Sequence, residues 1–209
     1  MKPVLLDLFC GAGGAGMGYH RAGFEVVGVD IAHQRNYPFE FWQMDVMEWL
    51  PRAAWDRAAA IHASPPCQRH SRMGGCRPGL REEYPDLIGA MREFLINTGL
   101  PYVIENVTGA PLKDPIKLCG TMFGYELYRH RLFESNVDLT VPPHPRHVKP
   151  VSAAGHWEPG TVMSVAGNIA PISLAREVMD IDWCNRAELV QAIPPYYTEF
   201  IGKQLRRVC

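Results

Sequence analysis

Short apolar runs alternate with glycine-rich or helical segments along the first half of the chain. Four runs have the length and apolar content of buried strands: VLLDLF, EVVGVD, RAAAIHAS and PYVIENV. GAGMGYHRAG and PDLIGAMREFLINTG predict helices that end at glycine, the second with Leu87, Met91 and Phe94 or Leu95 on one face, and VMEWL predicts a helical turn. Strands that alternate with helices predict an α/β fold with a parallel sheet covered on both faces.

The pattern is less regular from about Leu112. The stretch from Val141 to Gly160 is rich in proline and histidine and has few periodic apolar positions, so we expect a loop there. Three helical segments follow, SLAREVMDI, NRAELVQAI and PPYYTEFIGKQLRRV. Because 209 residues suffice for one substantial core, we expect residues 1–209 to form a single domain.

The composition is that of an ordinary globular protein, with 47% hydrophobic and 21% charged residues and a net charge of -1. No apolar run has the length of a membrane span and the N-terminus does not resemble a signal peptide, so we expect a soluble, cytoplasmic protein. The net charge does not indicate nucleic-acid binding. Basic residues nevertheless cluster at two places, Arg69, Arg72, Arg77 and Arg81, and Arg146, His147 and Lys149.

The six cysteines are scattered and include no CxxC pair. This spacing predicts neither a zinc site nor a disulfide framework, so we expect no metal. Any cysteine chemistry is then that of a single thiol.

The glycine-rich segment DLFCGAGGAGMG follows the first predicted strand and opens a helix. Glycines there allow a sharp turn and the close approach of a ligand. Asp30 ends the next strand, where a carboxylate can accept hydrogen bonds from ribose hydroxyls. Asp45, in QMDV, follows a further short strand, the third in chain order, from which it can reach an adenine amino group. Since no GK[ST] follows, a triphosphate loop is disfavoured, and NAD and S-adenosylmethionine both remain as ligands.

Cys67 lies in SPPCQ at the carboxyl end of the fourth predicted strand, the edge at which open α/β sheets bind ligands. The two prolines stiffen the turn, and Arg69 and Arg72 can favour the thiolate, which is the nucleophilic form. The alternative is a small apolar residue in a loop.

Two further segments carry groups suited to catalysis. Glu105, in ENV at the end of the fifth strand, can act as an acid toward a ring nitrogen if burial raises its pKa. Arg129 and Arg131 in LYRHRLF would point to one face of a strand. The alternatives are a capping carboxylate and an exposed basic strand edge.

The motifs DLFCGAGG, SPPCQ, ENV and RHR have the order and approximate spacing of the motifs of DNA cytosine-5 methyltransferases, and the chain resembles a short member of that family over about residues 3–135. The resemblance implies a Rossmann-like fold that binds S-adenosylmethionine. Either VAGNIAP or AIPPYYTEFIG can supply the family's closing motif beside the cofactor.

By the same resemblance, the cofactor contacts Phe9, Gly11, Gly13, Asp30, Asp45 and Pro65. Cys67 adds to C6 of cytosine, Glu105 assists at N3, and Arg131 with Arg129 nearby binds the O2 side. The partner is DNA, with the target cytosine flipped out if the DNA is a duplex. A role in restriction-modification, phage self-protection or regulation is left open.

Two features depart from the family pattern. Leu127 stands where the family usually has glutamine before the arginine motif. Only residues 136–165 stand where the family inserts a target-recognition domain, so we expect a short loop region and relaxed sequence specificity. RNA or a free cytosine nucleotide is therefore an alternative substrate, and a catalytically silent regulator is an alternative of another class. An NAD-dependent oxidoreductase would explain only the glycine loop.

Overall fold

The computed structural model describes residues 2–48, 57–67 and 86–209. Its centre is a seven-stranded sheet in the order β3-β2-β1-β4-β5-β7-β6. The strands are β1 Val4–Leu8, β2 Glu25–Asp30, β3 Glu40–Gln43, β4 Ala58–Ala63, β5 Tyr102–Asn106, β6 Ile116–Leu118 and β7 Arg131–Ser135. Strands β1 to β5 are parallel, whereas β7 runs antiparallel to β5 and to β6. The prediction of a mostly parallel sheet is confirmed.

Helices cover both faces of this sheet, as predicted. Helices α1 Gly14–Arg21 and α5 Pro195–Leu205 cover one face and α2 Ile88–Thr98 covers the other. Helices α3 Ile172–Met179 and α4 Arg186–Gln191 pack in a separate cluster with Ala12 and Leu127. Successive residues of β1 point to opposite faces, so Leu5 packs with α1 and α5 while Leu6 packs with Met91 and Leu95 of α2. The architecture is the Rossmann-like α/β fold that the sequence predicts.

Helix α5 packs so closely on α1 that the glycine loop and the C-terminal segment form one unit. A Cβ atom on Gly18 would lie 2.1 Å from the Pro195 carbonyl oxygen and from Thr198 Oγ1. Thr198 Oγ1 also donates a hydrogen bond of 2.8 Å to the carbonyl oxygen of Ala15. A larger residue at position 18 would force the two helices apart.

Residues 136–165, all described, contain two isolated bridges, Val151 with Val162 and Ala153 with His156, and neither a helix nor a strand. The predicted cluster Arg69, Arg72, Arg77 and Arg81 lies outside the described residues, as does the end of VMEWL. Within the described ranges, no helix is both long and apolar enough to cross a bilayer.

Candidate active site

A cavity of about 560 Å³ opens at the carboxyl ends of the parallel strands. Its volume is within the range of small-molecule sites, about 300–1,000 Å³. The lining includes Asp7, Phe9, Cys10, Gly11, Asp30, Ile31, Gln34, Ser64, Pro65, Pro66, Cys67, Glu105, Arg131, Glu188, Ala192 and Ile193. The structure therefore brings together residues from all four motifs at one edge of the sheet.

The glycine loop is held against the end of β2 by Asp30. The backbone N–H of Gly11 donates to Asp30 Oδ2 at 3.0 Å, and the N–H of Ala32 donates to Oδ1 at 2.9 Å. Gly11 has φ +49, and a Cβ there would meet no atom within 4 Å. The loop thus leaves open space beside a carboxylate that still has lone pairs to offer.

Gly13, predicted to contact a cofactor, does not line the cavity. It has φ +84, and a Cβ there would lie 2.8 Å from Pro38 Cδ and 2.9 Å from the Tyr37 ring. Its requirement for glycine therefore comes from conformation and packing. Asp45 is also absent from the lining, because its Oδ1 accepts from the N–H of Met47 at 2.8 Å in a local turn.

The turn that carries Cys67 is fixed by the asparagine of the ENV motif. Asn106 is fully buried, and its Nδ2 donates to the carbonyl oxygen of Pro65 at 2.9 Å. The N–H of Val107 donates to Asn106 Oδ1 at 2.9 Å, which fixes the amide orientation. Cys67 is consequently presented to the cavity from a supported turn.

Glu105 and Arg131 form a buried ion pair in the cavity wall, with 2.9 Å between Glu105 Oε1 and Arg131 Nε. The angle between the groups does not meet hydrogen-bond geometry, so neither atom has a hydrogen bond among the described residues. Burial raises the pKa of Glu105, while Arg131, Arg129 and a hydrogen bond from Ser64 oppose the shift. The carboxyl group can therefore retain a proton at a higher pH than an exposed glutamate does.

Burial also raises the pKa of the Cys67 thiol; Arg131 and Arg129 lower it, and Glu105 raises it further. The arginines that the sequence suggested for this role, Arg69 and Arg72, lie outside the described residues. In the described part of the chain, Arg131 is the largest influence that favours the thiolate.

The side chains of Arg129 and Arg131 have different surroundings, contrary to the expectation that both point to one face of a strand. Strand β7 begins only at Arg131, so the two-residue period does not extend to Arg129. The Arg129 guanidinium donates to the carbonyl oxygens of Val165 at 2.8 Å and Val190 at 2.7 Å. Arg129 does not line the cavity and instead ties the end of the loop region and α4 to the base of β7.

Of the two candidate closing segments, AIPPYYTEFIG lies at the cavity. Ala192 and Ile193 line it beside Gly11, and a Cβ on Gly14 would lie 2.4 Å from the Ile193 carbonyl oxygen. In VAGNIAP, Val165 contacts Arg129 instead.

A buried chain of hydrogen bonds that sequence reasoning missed leads to Glu105. Tyr19 Oη lies 3.0 Å from His62 Nδ1, and His62 Nε2 lies 2.8 Å from Ser64 Oγ. Ser64 in turn hydrogen-bonds Glu105. Burial lowers the pKa of His62 to about 3, so its ring is neutral. The ring can therefore fix the orientation of the Ser64 hydroxyl without placing a charge near Glu105. The signal was available, since His62 and Ser64 immediately precede the proline-cysteine turn.

Asp7, in β1 beneath the glycine loop, is fully buried and next to Tyr37. Tyr37 Oη donates to Asp7 Oδ2 at 3.3 Å, and Oδ1 has no hydrogen-bond partner in the described residues. Burial raises the pKa of Asp7 to about 8, with a further contribution from Asp30. Asp7 therefore holds a proton in the folded protein over a pH range in which an unfolded chain has lost it.

We expect Asp7→Asn to weaken the pH dependence of stability. Between about pH 4 and pH 8 the folded state binds one proton more at this position than the unfolded state, so the wild-type unfolding free energy falls as pH rises, by at most about 1.4 kcal/mol per pH unit. The neutral amide removes this term, so the variant gains stability relative to wild type toward pH 8. Urea denaturation at several pH values measures this difference, with Asp138→Asn as an exposed control. Equal slopes for wild type and Asp7→Asn would contradict it.

No family model matches the sequence, and no curated protein matches it either. Solved structures share its fold. A protein described as a DNA modification methyltransferase encoded within an Escherichia coli prophage has a TM-score of 0.69 and 16% identity, with 98% of each chain covered. The Entamoeba histolytica methyltransferase EhMeth has a TM-score of 0.60 and 12% identity, covering 100% of this chain and 99% of that one. The Dnmt2 methyltransferase of S. pombe has a TM-score of 0.60 and 11% identity, with the same coverage.

Proposed function

We propose that this protein transfers a methyl group from S-adenosylmethionine to C5 of cytosine in DNA. The observation that carries the proposal is the convergence of Cys67, Glu105 and Arg131 on the cavity that also contains the glycine loop and the Asp30 carboxylate. A thiol, a carboxyl group able to hold a proton, and a guanidinium are the groups that the covalent route to C5 needs. The three solved structures that share this fold are described as methyltransferases, which supports the proposal.

The residues at the glycine loop fit S-adenosylmethionine. Asp30 presents a carboxylate to the cavity for ribose hydroxyls, and Ile31, 65% exposed, offers an apolar surface to the adenine ring. Phe9, Gly11 and Pro65 line the remaining wall, where the methionine portion would lie. When bound, the cofactor supplies a methyl group activated by its sulfonium.

Cytosine C5 is a weak nucleophile until the ring is activated. The Cys67 thiolate forms a bond to C6, and the electrons of the C5–C6 double bond move to C5, while Glu105 delivers its proton to N3. C5 would then form its bond to the methyl carbon as the bond between that carbon and the sulfonium sulfur breaks, so that S-adenosylhomocysteine leaves. Loss of the C5 proton to a base such as a water molecule, with return of the N3 proton to Glu105, restores the C5–C6 double bond and expels the thiolate, so Cys67 is regenerated.

Arg131 has two roles in this scheme. Its ion pair with Glu105 holds the carboxyl group in place, and its positive charge lowers the pKa of Cys67. Arg131 is therefore the group best placed to bind the cytosine O2 side and stabilise charge that develops on the ring. Arg129, whose guanidinium is bound to the carbonyl oxygens of Val165 and Val190, contributes a second positive charge that lowers the pKa of Cys67.

For the substrate, we propose a nucleic acid recognised over a short context. Residues 136–165 offer two exposed basic side chains that can contact phosphates, Arg146 and Lys149, the second of which is ion-paired with Glu126. Specific protein–DNA interfaces bury about 1,000–2,500 Å² of protein surface, which a loop without its own core can supply only in part. We expect a context of no more than two or three bases and duplex binding that weakens strongly with salt.

The test is incubation of the protein with labelled S-adenosylmethionine and, separately, with duplex DNA, single-stranded DNA, RNA and dCMP. Mass spectrometry of the nucleosides should show 5-methylcytosine from DNA. Product only from RNA or only from dCMP would move the substrate to that alternative. Cofactor binding without any methylated product would favour the alternative of a catalytically silent regulator.

Bisulfite sequencing of treated plasmid then tests the sequence context of methylation. Methylation confined to one motif of four or more bases would contradict relaxed specificity.

Asp30→Ala is expected to weaken S-adenosylmethionine binding by about 1–3 kcal/mol, because the ribose hydroxyls lose their acceptor and the Gly11 N–H loses its partner. Isothermal calorimetry measures the dissociation constant. Asp138→Ala, which removes an exposed carboxylate outside the cavity, serves as the control. An unchanged dissociation constant for Asp30→Ala would show that the ribose is bound elsewhere.

A further inference from the structure

Four metal-ligating side chains converge outside the candidate active site. They are Cys119, His130, His144 and His147, and their ligand atoms all lie within 4.8 Å of one another. None of them lines the cavity at the glycine loop. This convergence does not depend on the proposed function.

The backbone explains how the first two come together. In the antiparallel pair of β6 and β7, Leu118 lies opposite Arg131. Continuing that register by one residue puts Cys119 opposite His130, so one ligand comes from each strand end. His144 and His147 come from the loop region, where two residues separate them in HPRH.

The distances within the cluster suit a tetrahedral ion. Zn–N bonds of about 2.0–2.1 Å and Zn–S bonds of about 2.3 Å require ligand atoms about 3.3–3.6 Å apart. His130 Nε2 lies 3.1 Å from His144 Nε2, and Cys119 Sγ lies 3.3 Å from His147 Nε2. Two edges of the tetrahedron are therefore nearly formed. The other distances between ligand atoms, at most 4.8 Å, must shorten by about 1 Å to reach tetrahedral values. A rotation of the exposed His144 side chain can supply part of this movement.

The surroundings hold two of the ligands in position. The His147 ring stacks on Tyr128 with 3.6 Å between centroids and 5° between planes. Cys119 is fully buried, and Thr121 Oγ1 donates to its sulfur at 3.3 Å, a contact that supports a thiolate. A thiolate with three imidazoles binds zinc in preference to magnesium and calcium, which are hard cations that require oxygen ligands.

We propose that Cys119, His130, His144 and His147 bind one Zn²⁺ ion. Four protein ligands leave no open position, so the site is structural rather than catalytic. The ion would tie the loop region to the sheet edge at His130, the residue between Arg129 and Arg131. It would thereby fix the base of the segment from which Arg146 and Lys149 project, and His130 would act as a positioning residue.

The test uses the full chain without a histidine tag, purified from zinc-supplemented medium. Elemental analysis should find one zinc per chain in wild type, and zinc should be absent or greatly reduced in His144→Ala and Cys119→Ser. Because His144 is exposed, its replacement is not expected to prevent folding. His156→Ala, an exposed histidine of the same region, and Cys209→Ser, an exposed cysteine, serve as matched controls that keep the ion.

Cobalt substitution tests the ligands directly. Co²⁺ in the wild-type chain should give the intense visible bands of a tetrahedral ion and a thiolate-to-metal band in the near ultraviolet, and Cys119→Ser should lose the latter. The zinc affinity of His144→Ala should fall by at least about 100-fold, since loss of an outer-shell contact alone costs about 10–100-fold. A chelator should lower the melting temperature of wild type but not of His144→Ala.

Either of two results would overturn the proposal. One is wild-type protein without stoichiometric zinc and without tetrahedral cobalt bands. The other is metal that survives His144→Ala and Cys119→Ser at the wild-type affinity. None of these measurements uses methyl transfer, so their outcome is independent of the test of the proposed function.

Discussion

Cys67→Ala should abolish methyl transfer while cofactor binding remains nearly unchanged. In the proposed route the Cys67 thiolate forms the bond to C6 that activates C5, and no other cysteine in the described residues except Cys10 lines the cavity. Cys10 is buried and burial raises its pKa far above the usual range, so it cannot substitute as a nucleophile. Since removal of a catalytic nucleophile can cost about 10⁶-fold in turnover, we expect a loss of at least about 10⁴-fold.

The measurement is the incorporation of labelled methyl groups into DNA, beside calorimetry with S-adenosylmethionine. Cys209→Ala, which removes an exposed thiol, is the control. A DNA containing 5-fluorocytosine should also trap a covalent complex with wild type and none with Cys67→Ala, because fluorine at C5 cannot leave as a proton does. Turnover by Cys67→Ala within about tenfold of wild type would exclude the covalent route.

Glu105→Gln should lower turnover by about 10²–10⁴-fold, the usual contribution of a positioned acid. The amide keeps the shape of the side chain but has no proton to deliver to N3. The same substitution should lower the pKa of Cys67, because at the alkaline pH where the thiol titrates the Glu105 carboxylate is charged and raises that pKa. Arg131→Met should move the pKa of Cys67 upward, since it removes the largest opposing charge.

Iodoacetamide alkylation of Cys67 as a function of pH measures both shifts without substrate. Glu134→Gln is the matched control, because Glu134 is a similarly buried carboxylate on β7, ion-paired with Arg92 at 2.6 Å and outside the cavity. It should lower stability but leave the Cys67 titration unchanged. Shifts of the same sign in Glu105→Gln and Arg131→Met would show that charge does not couple these groups to the thiol.

Several features of the site were predictable because they depend on neighbouring residues in the chain. The apolar runs define β1, β2, β4 and β5, and parallel strands must end at the same edge. A polar residue at or shortly after the end of such a strand therefore reaches that edge. Asp30 is the last residue of β2, Glu105 is the last but one of β5, and Cys67 lies four residues beyond the end of β4. All three line the cavity.

The contacts of other site residues depend on partners that are distant in sequence, and the pattern of neighbouring residues contains no information about those partners. Arg129 and Arg131 are two residues apart, yet one contacts carbonyl groups 36 and 61 positions away while the other contacts Glu105. The difference arises because β7 begins between them, at a point set by its pairing with β5 and β6.

The sequence by itself determined β1, β2, β4 and β5, the five helices and the edge of the sheet where the candidate site lies, because these follow from the periodicity of contiguous residues. Tertiary structure alone decided the partner of each charged group and the closing segment that reaches the glycine loop. It also decided the meeting of Cys119 with three histidines, whose scattered spacing predicted no metal site. Register between antiparallel strands brings such residues together, and register is a property of the packed sheet rather than of any one segment.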